Sequence, residues 1–328
     1  MTAVAVYDAL GLPPENLKEE EIAARLPTAH EEFLRCPETH PCHAEHFPGR
    51  WSDDTQMTLS VAKAIQRAEG EIRMGLIAEE HVKAYDETTF GWGGASREGA
   101  ENLKKYVPFY HSGKRGSLGN GVLMKMAPLA MTLEYGERKY DKNSKLELIA
   151  EFTRMTHSTI MAVVCSAVHN EMLQTLMKGN AEYWRSEEGQ WSFLNKAADK
   201  ALEYEAEFGV PVNEGVLSGK LLHLVEKIDF LNDNETLKEV SDGGFCMAPD
   251  TLTMVYGLFA ADPTMAAAHR AVRIGGDTDS NASIVASMVA LIDDDKEAIP
   301  KKLREGVWRK EEIKKAAKEF AAALNRRS

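Results

Sequence analysis

The sequence predicts an all-α protein, and three observations favour that fold class. Apolar residues recur with helical spacing over long stretches, above all in residues 144–178, which contain neither Pro nor Gly. Strand-like alternation over several residues is scarce. The chain also shows no internal repeat, no low-complexity tract and no convincing linker. We therefore expect a compact multi-helix globule that forms one domain over residues 1–328.

The remaining elements follow from the same periodicity. Residues 196–208, 265–273 and 311–324 are predicted to form helices. Two more helices are predicted to begin after short acidic clusters near positions 53 and 278, because apolar residues recur at helical spacing beyond each cluster. Loops are expected at 37–51, 91–99, 109–121, 209–219 and 241–249.

The two acidic clusters are the most informative motifs, Ser-Asp-Asp-Thr at 52–55 and Gly-Gly-Asp-Thr-Asp-Ser at 275–280. Taken alone, each is compatible with a capped helix start, because an Asp accepts hydrogen bonds from the first amides of a helix. One cap needs only one side chain, so the surplus acid needs another explanation. The hydroxyl and carboxylate candidates are Ser52, Asp53, Asp54, Asp277, Asp279 and Ser280.

This donor set predicts a divalent metal site if the fold brings the clusters together. Four carboxylates in one cleft repel one another unless a hard cation neutralises them. Every donor is an oxygen, which favours Mg²⁺, with Mn²⁺ also suitable, over zinc. The adjacent Asp53 and Asp54 diverge by about 100° on a helix and are therefore able to serve two ions.

Composition limits the other function classes. The chain has 328 residues, 44% apolar and 27% charged, as is typical of a soluble globular protein. A formal net charge of −12 argues against nucleic-acid binding through a broadly basic surface. The absence of long apolar runs predicts no membrane partner and a cytoplasmic location. Four cysteines in this length do not suggest a disulfide framework.

Six segments, in the same order, resemble the ADP-ribosylglycohydrolase family, which includes dinitrogenase reductase activating glycohydrolases and ADP-ribosylarginine and ADP-ribosylserine hydrolases. The resemblance runs from Tyr7 to about Leu291. The segments are Asp8-Ala9-Leu10-Gly11 with Glu15, the motif at 52–55, the glycine-containing segment 91–103, the loop 116–121 followed by Met124, Lys125 and Pro128, Thr156-His157-Ser158, and the motif at 275–280. Six such segments in the correct order are hard to obtain by chance.

The resemblance implies a set of substrate-binding residues: Gly93, Gly94, Gly116, Ser117, Leu118, Gly119, Asn120, Gly121, Met124 and His157. The glycine loop would point backbone N–H groups at a diphosphate, with Asn120 able to adopt left-handed geometry. On glycine spacing alone, a tight turn between helices is the alternative. His157 is read either as a packed residue of an apolar helix or, by resemblance, as a residue facing the ligand.

Three positions depart from the family's pattern. Ser280 replaces a common Thr and keeps the hydroxyl oxygen. Lys125 replaces a common Arg, and a Lys cannot reproduce the planar two-pronged donor of Arg. Tyr7 stands where a glycine is usual and only six residues precede it, which brings the first helix into question.

The predicted function is hydrolysis of the glycosidic bond at ribose C1, releasing ADP-ribose from a modified protein side chain, most simply an N-linked, arginine-type one. Two Mg²⁺ ions, or Mn²⁺, are expected to orient the ribose and acidify water. Asp54 or Asp279 would accept the proton of that water, and Glu15 would position water or substrate. The expected partner is an ADP-ribosylated protein or an ADP-ribose-like small molecule.

Two other functions stay open at this point: a non-catalytic ADP-ribose reader, and a two-metal phosphohydrolase that acts on a nucleotide diphosphate. A cluster of Cys and His in residues 36–46 matches no common zinc spacing, so a surface loop over the site entrance is preferred to structural zinc. Trp92, Trp184 and Trp191 are read as packing residues.

Overall fold

The computed structural model describes residues 1–38, 40, 46–210, 216–293 and 295–325. Within these residues the secondary structure is overwhelmingly α-helical, and the two strands that occur are two residues long. The prediction of an all-α fold is confirmed. None of the described helices is both long enough and apolar enough to span a bilayer.

The first eight helices are α1 (Thr2–Gly11), α2 (Glu19–Arg25), α3 (Asp53–Arg67), α4 (Met74–Glu87), α5 (Gly94–Lys104), α6 (Ala127–Tyr135), α7 (Lys142–Arg154) and α8 (Ile160–Lys178). The helices that follow are α9 (Ala181–Arg185), α10 (Glu187–Glu207), α11 (Val216–Glu226), α12 (Asn234–Val240), α13 (Ala248–Ala261), α14 (Met265–Ile274), α15 (Thr278–Ile292), α16 (Lys301–Gly306) and α17 (Lys310–Leu324). The strands are β1 (Lys114–Arg115) and β2 (His157–Ser158). Short 3-10 helices cover Phe109–His111, Ile228–Phe230, Asp242–Gly244 and Lys296–Ala298.

Four helices, α1, α8, α13 and α15, form the centre of the fold. They are buried along most of their length, as expected for helices that are apolar on nearly every side. More amphipathic helices such as α14 and α17 pack around them and keep a polar face in solvent. The buried apolar side chains form one cluster that extends from Ala3 to Phe320.

Helix α1 packs along α15 and positions the start of that helix. The contact requires glycine at position 11, because a Cβ there would lie 2.4 Å from the Asp279 Cα. The sequence left the first helix in question, but α1 forms from Thr2 onward. Tyr7 is fully buried in it, and its hydroxyl lies 2.8 Å from His269 Nε2.

The helical spacing over residues 144–178 corresponds to two helices and not to a continuous one, because the chain breaks between α7 and α8. After Met155, which caps α7, the chain leaves helical geometry, and residues 157–158 form β2, which pairs in parallel with β1. The backbone of Gly113 donates to the Arg154 carbonyl (2.9 Å), and that of Lys114 to Thr156 (3.0 Å). Thr159 then caps α8 by accepting from the Ala162 amide. His157 therefore lies on β2 and not on a helix.

The other predicted helices are present with different ends. The prediction for 196–208 corresponds to the longer α10, and those for 265–273 and 311–324 match α14 and α17 within one residue at each end. Three predicted loops are partly helical, since α5, α11 and α13 begin inside 91–99, 209–219 and 241–249.

Candidate metal centre and ligand cleft

The largest concentration of predicted site residues lies in a cleft of about 500 Å³. The cleft opens between the N-termini of α3 and α15, the start of α5 and the loop after β1. Its predicted members are Glu15, Asp53, Asp54, Gly93, Gly94, Gly116, Ser117, Leu118, Gly119, Asn120, Gly121, Met124, His157, Asp277, Asp279 and Ser280. Of the predicted residues only Ser52 is missing from the lining. It is buried, and its hydroxyl oxygen accepts the Asp54 amide at 3.2 Å as the N-cap of α3.

Asp54 joins the two acidic motifs directly. One of its carboxylate oxygens accepts from the Ser283 hydroxyl at 2.6 Å, and the other accepts from the Ser280 hydroxyl at 3.1 Å. Both donors belong to the first turns of α15, so the start of α3 faces the start of α15. The surplus acid of the two motifs is therefore gathered at one end of the cleft.

Glu15 lies with Asp277 and Asp279, and one oxygen from each carboxylate falls within 4.8 Å of the others. The turn that carries Glu15 is held by the Asn16 amide, which donates to the Gly276 carbonyl at 2.9 Å. Gly276 adopts a φ of 81°, in the left-handed region that favours glycine. The sequence predicted Glu15 as a carboxylate beside the metal ligands, whereas its position is also suitable for direct ligation.

Asp8 belongs to the site, although the sequence analysis gave it no role. Its buried carboxylate accepts the amides of Ser52 (2.9 Å) and Thr55 (3.0 Å) and the Thr55 hydroxyl (2.6 Å). Asp8 thereby accepts hydrogen bonds from N–H groups at the start of α3, so the carboxylate of Asp53 is not needed to cap them. The sequence did contain a signal for Asp8: it is the one charged residue in the apolar segment 2–11, and burial of an unpaired charge there would be costly.

Burial and mutual repulsion raise the pKa values of the clustered acids. Burial, followed by the charge of Asp8, raises the pKa of Asp53 to about 8. Burial also raises the pKa values of Asp54 and Asp279, with Asp8 acting next on Asp54 and Glu15 next on Asp279. Oxygen donors that are buried together and repel one another fit a hard divalent cation, which would offset their charge.

Gly91 brings the loop before α5 against the first motif. Its φ is 82°, and a Cβ built on it would lie 2.7 Å from Asp53 Oδ1 and 2.9 Å from the Ser52 Cβ. A Cβ built on Gly93 would have no atom within 4 Å, and one built on Gly94 would have only Lys114 Nζ, at 3.7 Å. Glycine is therefore required sterically at position 91, whereas positions 93 and 94 leave the cleft wall open.

The glycine loop is held in place by hydrogen bonds to the start of α13. The Asn120 amide donates to the Cys246 carbonyl at 2.9 Å, and the Ala248 amide donates to Leu118 at 2.8 Å. Left-handed geometry was considered for Asn120, but the residue of this loop that adopts it is Gly116, with a φ of 72°. The Asn120 side chain instead donates to Asp277 Oδ2 at 2.8 Å, so it links the loop to the acidic cluster.

His157 lies beneath this loop. A Cβ on Gly119 would be 3.2 Å from His157 Nε2, and one on Gly121 would be 3.2 Å from its Cε1. The imidazole is buried, and burial lowers its pKa to about 3, so the ring is neutral. Two glycines therefore allow the loop to lie directly on the ring edge, which also lines the cleft.

Two basic residues in the cleft wall were missed by the sequence analysis. Lys114 and Arg115 form β1 and line the cleft next to the glycine loop. Both are exposed. A pair of adjacent basic residues is an ordinary surface feature in sequence, and only the pairing of β1 with β2 places it here.

The tryptophans and the Cys and His cluster contribute less. Trp92 and Trp184 are buried and Trp191 is 55% exposed, and none of the three lines the cleft. The burial of Trp92 and Trp184 agrees with the expectation that they are packing residues, whereas the exposure of Trp191 does not support that expectation. The question of zinc in residues 36–46 falls largely outside the described residues, which exclude Thr39 and positions 41–45.

Comparisons with known proteins identify the family. The model of the ADP-ribosylglycohydrolase family matches residues 1–328. A solved structure titled "ADP-ribosylglycohydrolase-related protein complex" has the same fold, with a TM-score of 0.69 and 23% identity over 99% of this chain and 94% of that one. No curated protein sequence matches significantly. The chain belongs to the ADP-ribosylglycohydrolase family.

Proposed function

We propose that the protein is a metal-dependent hydrolase that releases ADP-ribose from a modified protein side chain by cleaving the glycosidic bond at ribose C1. The observation that carries this proposal is the joining of two acidic motifs, distant in sequence, in one cleft that also contains a glycine loop and two basic residues. Membership of the ADP-ribosylglycohydrolase family agrees with the reaction.

The acidic end of the cleft would hold Mg²⁺ or Mn²⁺. The proposed ligands are Ser52, Asp53, Asp54, Asp277, Asp279 and Ser280, joined by Glu15, which lies within reach of the same point as Asp277 and Asp279. A divalent cation supplies positive charge that offsets the carboxylates, polarises bound oxygens and makes water more acidic. The number of carboxylates gathered here is sufficient for two ions.

Asp54 and Asp279 differ in what they can do. Asp54 accepts two hydroxyl hydrogen bonds from α15, which fixes its orientation. Burial raises the pKa of both carboxyl groups, so geometry separates them: one oxygen of Asp279 lies within 4.8 Å of oxygens of Glu15 and Asp277. We therefore assign proton acceptance from the attacking water to Asp279, with Glu15 orienting the water.

The rest of the cleft suits a diphosphate and a cationic acceptor. Backbone amides of the glycine loop, together with Lys114 and Arg115, supply local positive potential within a chain of net charge −12. The five carboxylates of the cleft have a formal charge of −5, which exceeds that of two divalent cations by one, and the positive guanidinium of an arginine acceptor is attracted by this remainder. This complementarity favours an N-linked, arginine-type substrate.

The test is release of ADP-ribose from defined ADP-ribosylated acceptors, with and without a chelator. Chelation, Asp54→Asn and Asp279→Asn should each reduce the rate strongly, and Glu15→Gln should impair turnover more than folding. Asp141→Asn is the matched control, since Asp141 is an exposed N-cap of α7 away from the cleft.

Product analysis separates the competing functions. Free ADP-ribose supports the proposal, AMP identifies a phosphohydrolase, and binding of ADP-ribose without product identifies a reader. Full activity after metal removal, or in both Asp variants, contradicts the mechanism. Comparison of arginine-linked with serine-linked substrates decides the acceptor.

A further inference from the structure

Lys125, the position where the family commonly has Arg, is completely buried next to the ligand cleft. Its Nζ lies 2.9 Å from His81 Nε2 and 3.3 Å from the Thr156 hydroxyl, and 5.2 Å from the centre of the Phe152 ring. A buried amine is costly unless its hydrogens find acceptors. The two acceptors therefore determine what this residue does.

The polarity of the first hydrogen bond follows from His81. Its Nδ1 lies 2.9 Å from the Ile77 carbonyl oxygen, which only accepts, so Nδ1 carries the hydrogen. Burial and the neighbouring Lys125 hold the pKa of His81 well below its usual value, so the ring is neutral. His81 Nε2 then has a free electron pair and accepts from Lys125.

The second hydrogen bond, from Lys125 to Thr156, affects the direction of the hydrogen bond between Thr156 and His157, which lines the cleft. The Thr156 hydroxyl accepts from Lys125 with one of its two lone pairs, and its one hydrogen, which is buried, needs an acceptor of its own. Its other side-chain contact in the described residues is His157 Nδ1, at 2.9 Å. Among the described residues, Nδ1 is the acceptor within reach of the hydrogen of the Thr156 hydroxyl, so Thr156 donates to Nδ1, and the single hydrogen of the neutral imidazole sits on Nε2. That nitrogen faces the glycine loop.

We propose that Lys125 is a positioning residue that acts through Thr156 to hold His157 as its Nε2–H tautomer, so that the ring donates a hydrogen bond to an acceptor oxygen of the ligand in the cleft. The ligand part of this proposal rests on the proposed function, since the acceptor oxygen belongs to an ADP-ribose unit. The tautomer does not rest on it.

The tautomer is measured by ¹⁵N NMR of protein labelled at histidine, with His157→Asn used to assign the signals. In the wild type we expect His157 Nε2 to be protonated and Nδ1 unprotonated. Lys125→Met removes the contact that fixes the rotation of the Thr156 hydroxyl, so the hydroxyl no longer has to donate to Nδ1 and the ring shifts toward the other tautomer. Thr156→Val should change the Nδ1 signal, whereas Thr156→Ser, which keeps the hydroxyl, should retain the wild-type pattern.

Binding of ADP-ribose provides a second readout, by calorimetry in the presence of Mn²⁺. Loss of one correctly oriented hydrogen bond should weaken binding by about twofold to tenfold in Lys125→Met and Thr156→Val, with Mn²⁺ affinity unchanged. Thermal unfolding of each variant shows whether it is folded, and Thr156→Val, which is close to Thr in volume, serves if Lys125→Met does not fold.

The outcomes separate this inference from the proposed function. A wild-type His157 with its hydrogen on Nδ1, or an unchanged tautomer in both Lys125→Met and Thr156→Val, overturns the inference. A wild-type protein that shows the expected tautomer but does not bind ADP-ribose supports the hydrogen-bond relay and contradicts the proposed function. Altered tautomers with unchanged ADP-ribose affinity overturn the ligand contact.

Discussion

Replacement of Gly91 by Ala tests how the metal centre is built. Gly91 has a φ of 82°, which costs an L-residue about 1 to 2 kcal/mol. The added Cβ would also lie 2.7 Å from Asp53 Oδ1, and overpacking of this kind costs about 1 to 3 kcal/mol. Alanine also lowers the conformational entropy of the unfolded chain, which stabilises the folded protein by about 0.4 to 1 kcal/mol. The net loss in free energy of unfolding should be about 1 to 4.6 kcal/mol.

The same substitution should weaken metal binding, because the clash is relieved most easily by displacing the Asp53 carboxylate. We expect at least a roughly tenfold loss in Mn²⁺ affinity, equivalent to about 1.4 kcal/mol, measured by calorimetry. Urea unfolding of the metal-free protein measures the stability term separately.

Gly116→Ala is the matched control for Gly91→Ala. Gly116 has a similar φ of 72°, but a Cβ there would have no atom within 4 Å. This variant should lose only the backbone term, offset by the same entropy gain, which is a net of about 0 to 1.6 kcal/mol, and it should bind Mn²⁺ like the wild type. Wild-type Mn²⁺ affinity in Gly91→Ala, or equal losses of affinity in both variants, would refute the reasoning.

Three further predictions concern the same cleft. Mg²⁺ or Mn²⁺ should raise the melting temperature of the wild type, as measured by differential scanning fluorimetry. Asp279→Asn should abolish this shift, and it should stabilise the metal-free protein because it removes repulsion between carboxylates. A shift that is retained in this variant contradicts the assignment of Asp279 as a metal ligand. The pKa values of Asp8 (about 6) and Asp53 (about 8) lie above that of Asp in the unfolded chain, so the folded metal-free protein binds more protons than the unfolded protein does. Its stability should therefore fall as pH rises from about 4 to about 8. Midpoints of urea unfolding that rise with pH over this range contradict the account. Replacement of both Lys114 and Arg115 by Ala should raise KM for ADP-ribosylated substrate by about tenfold or less and leave kcat little changed. The dependence of KM on salt concentration should also decrease. An unchanged KM would show that these two residues do not contribute to diphosphate binding.

Local signals in the sequence were sufficient for the fold class and for the starts of α3 and α15. Helical periodicity and acidic N-terminal residues act within a few positions, so they can be read without tertiary contacts. The family motifs added the order of the cleft segments, and the structure brings every predicted site residue except Ser52 to the cleft lining. The chemical roles of these residues stay predictions.

What the sequence did not reveal depends on contacts between distant segments. The break at residues 155–159 exists because β2 pairs with β1, and periodicity across 144–178 carries no trace of that pairing. Asp8 acts on the start of α3, a helix it does not belong to. Lys125 was seen only as a departure from Arg, since its partners His81 and Thr156 come from other parts of the chain.

The central claim is that the two acidic motifs share a cation-filled pocket. Anomalous diffraction from crystals grown with Mn²⁺ tests this most directly. The account predicts two anomalous peaks at the acidic end of the cleft, each within bonding distance of oxygens from both the Asp53-Asp54 and the Asp277-Asp279 motifs. Peaks elsewhere, or no peak between these motifs at saturating Mn²⁺, would contradict it.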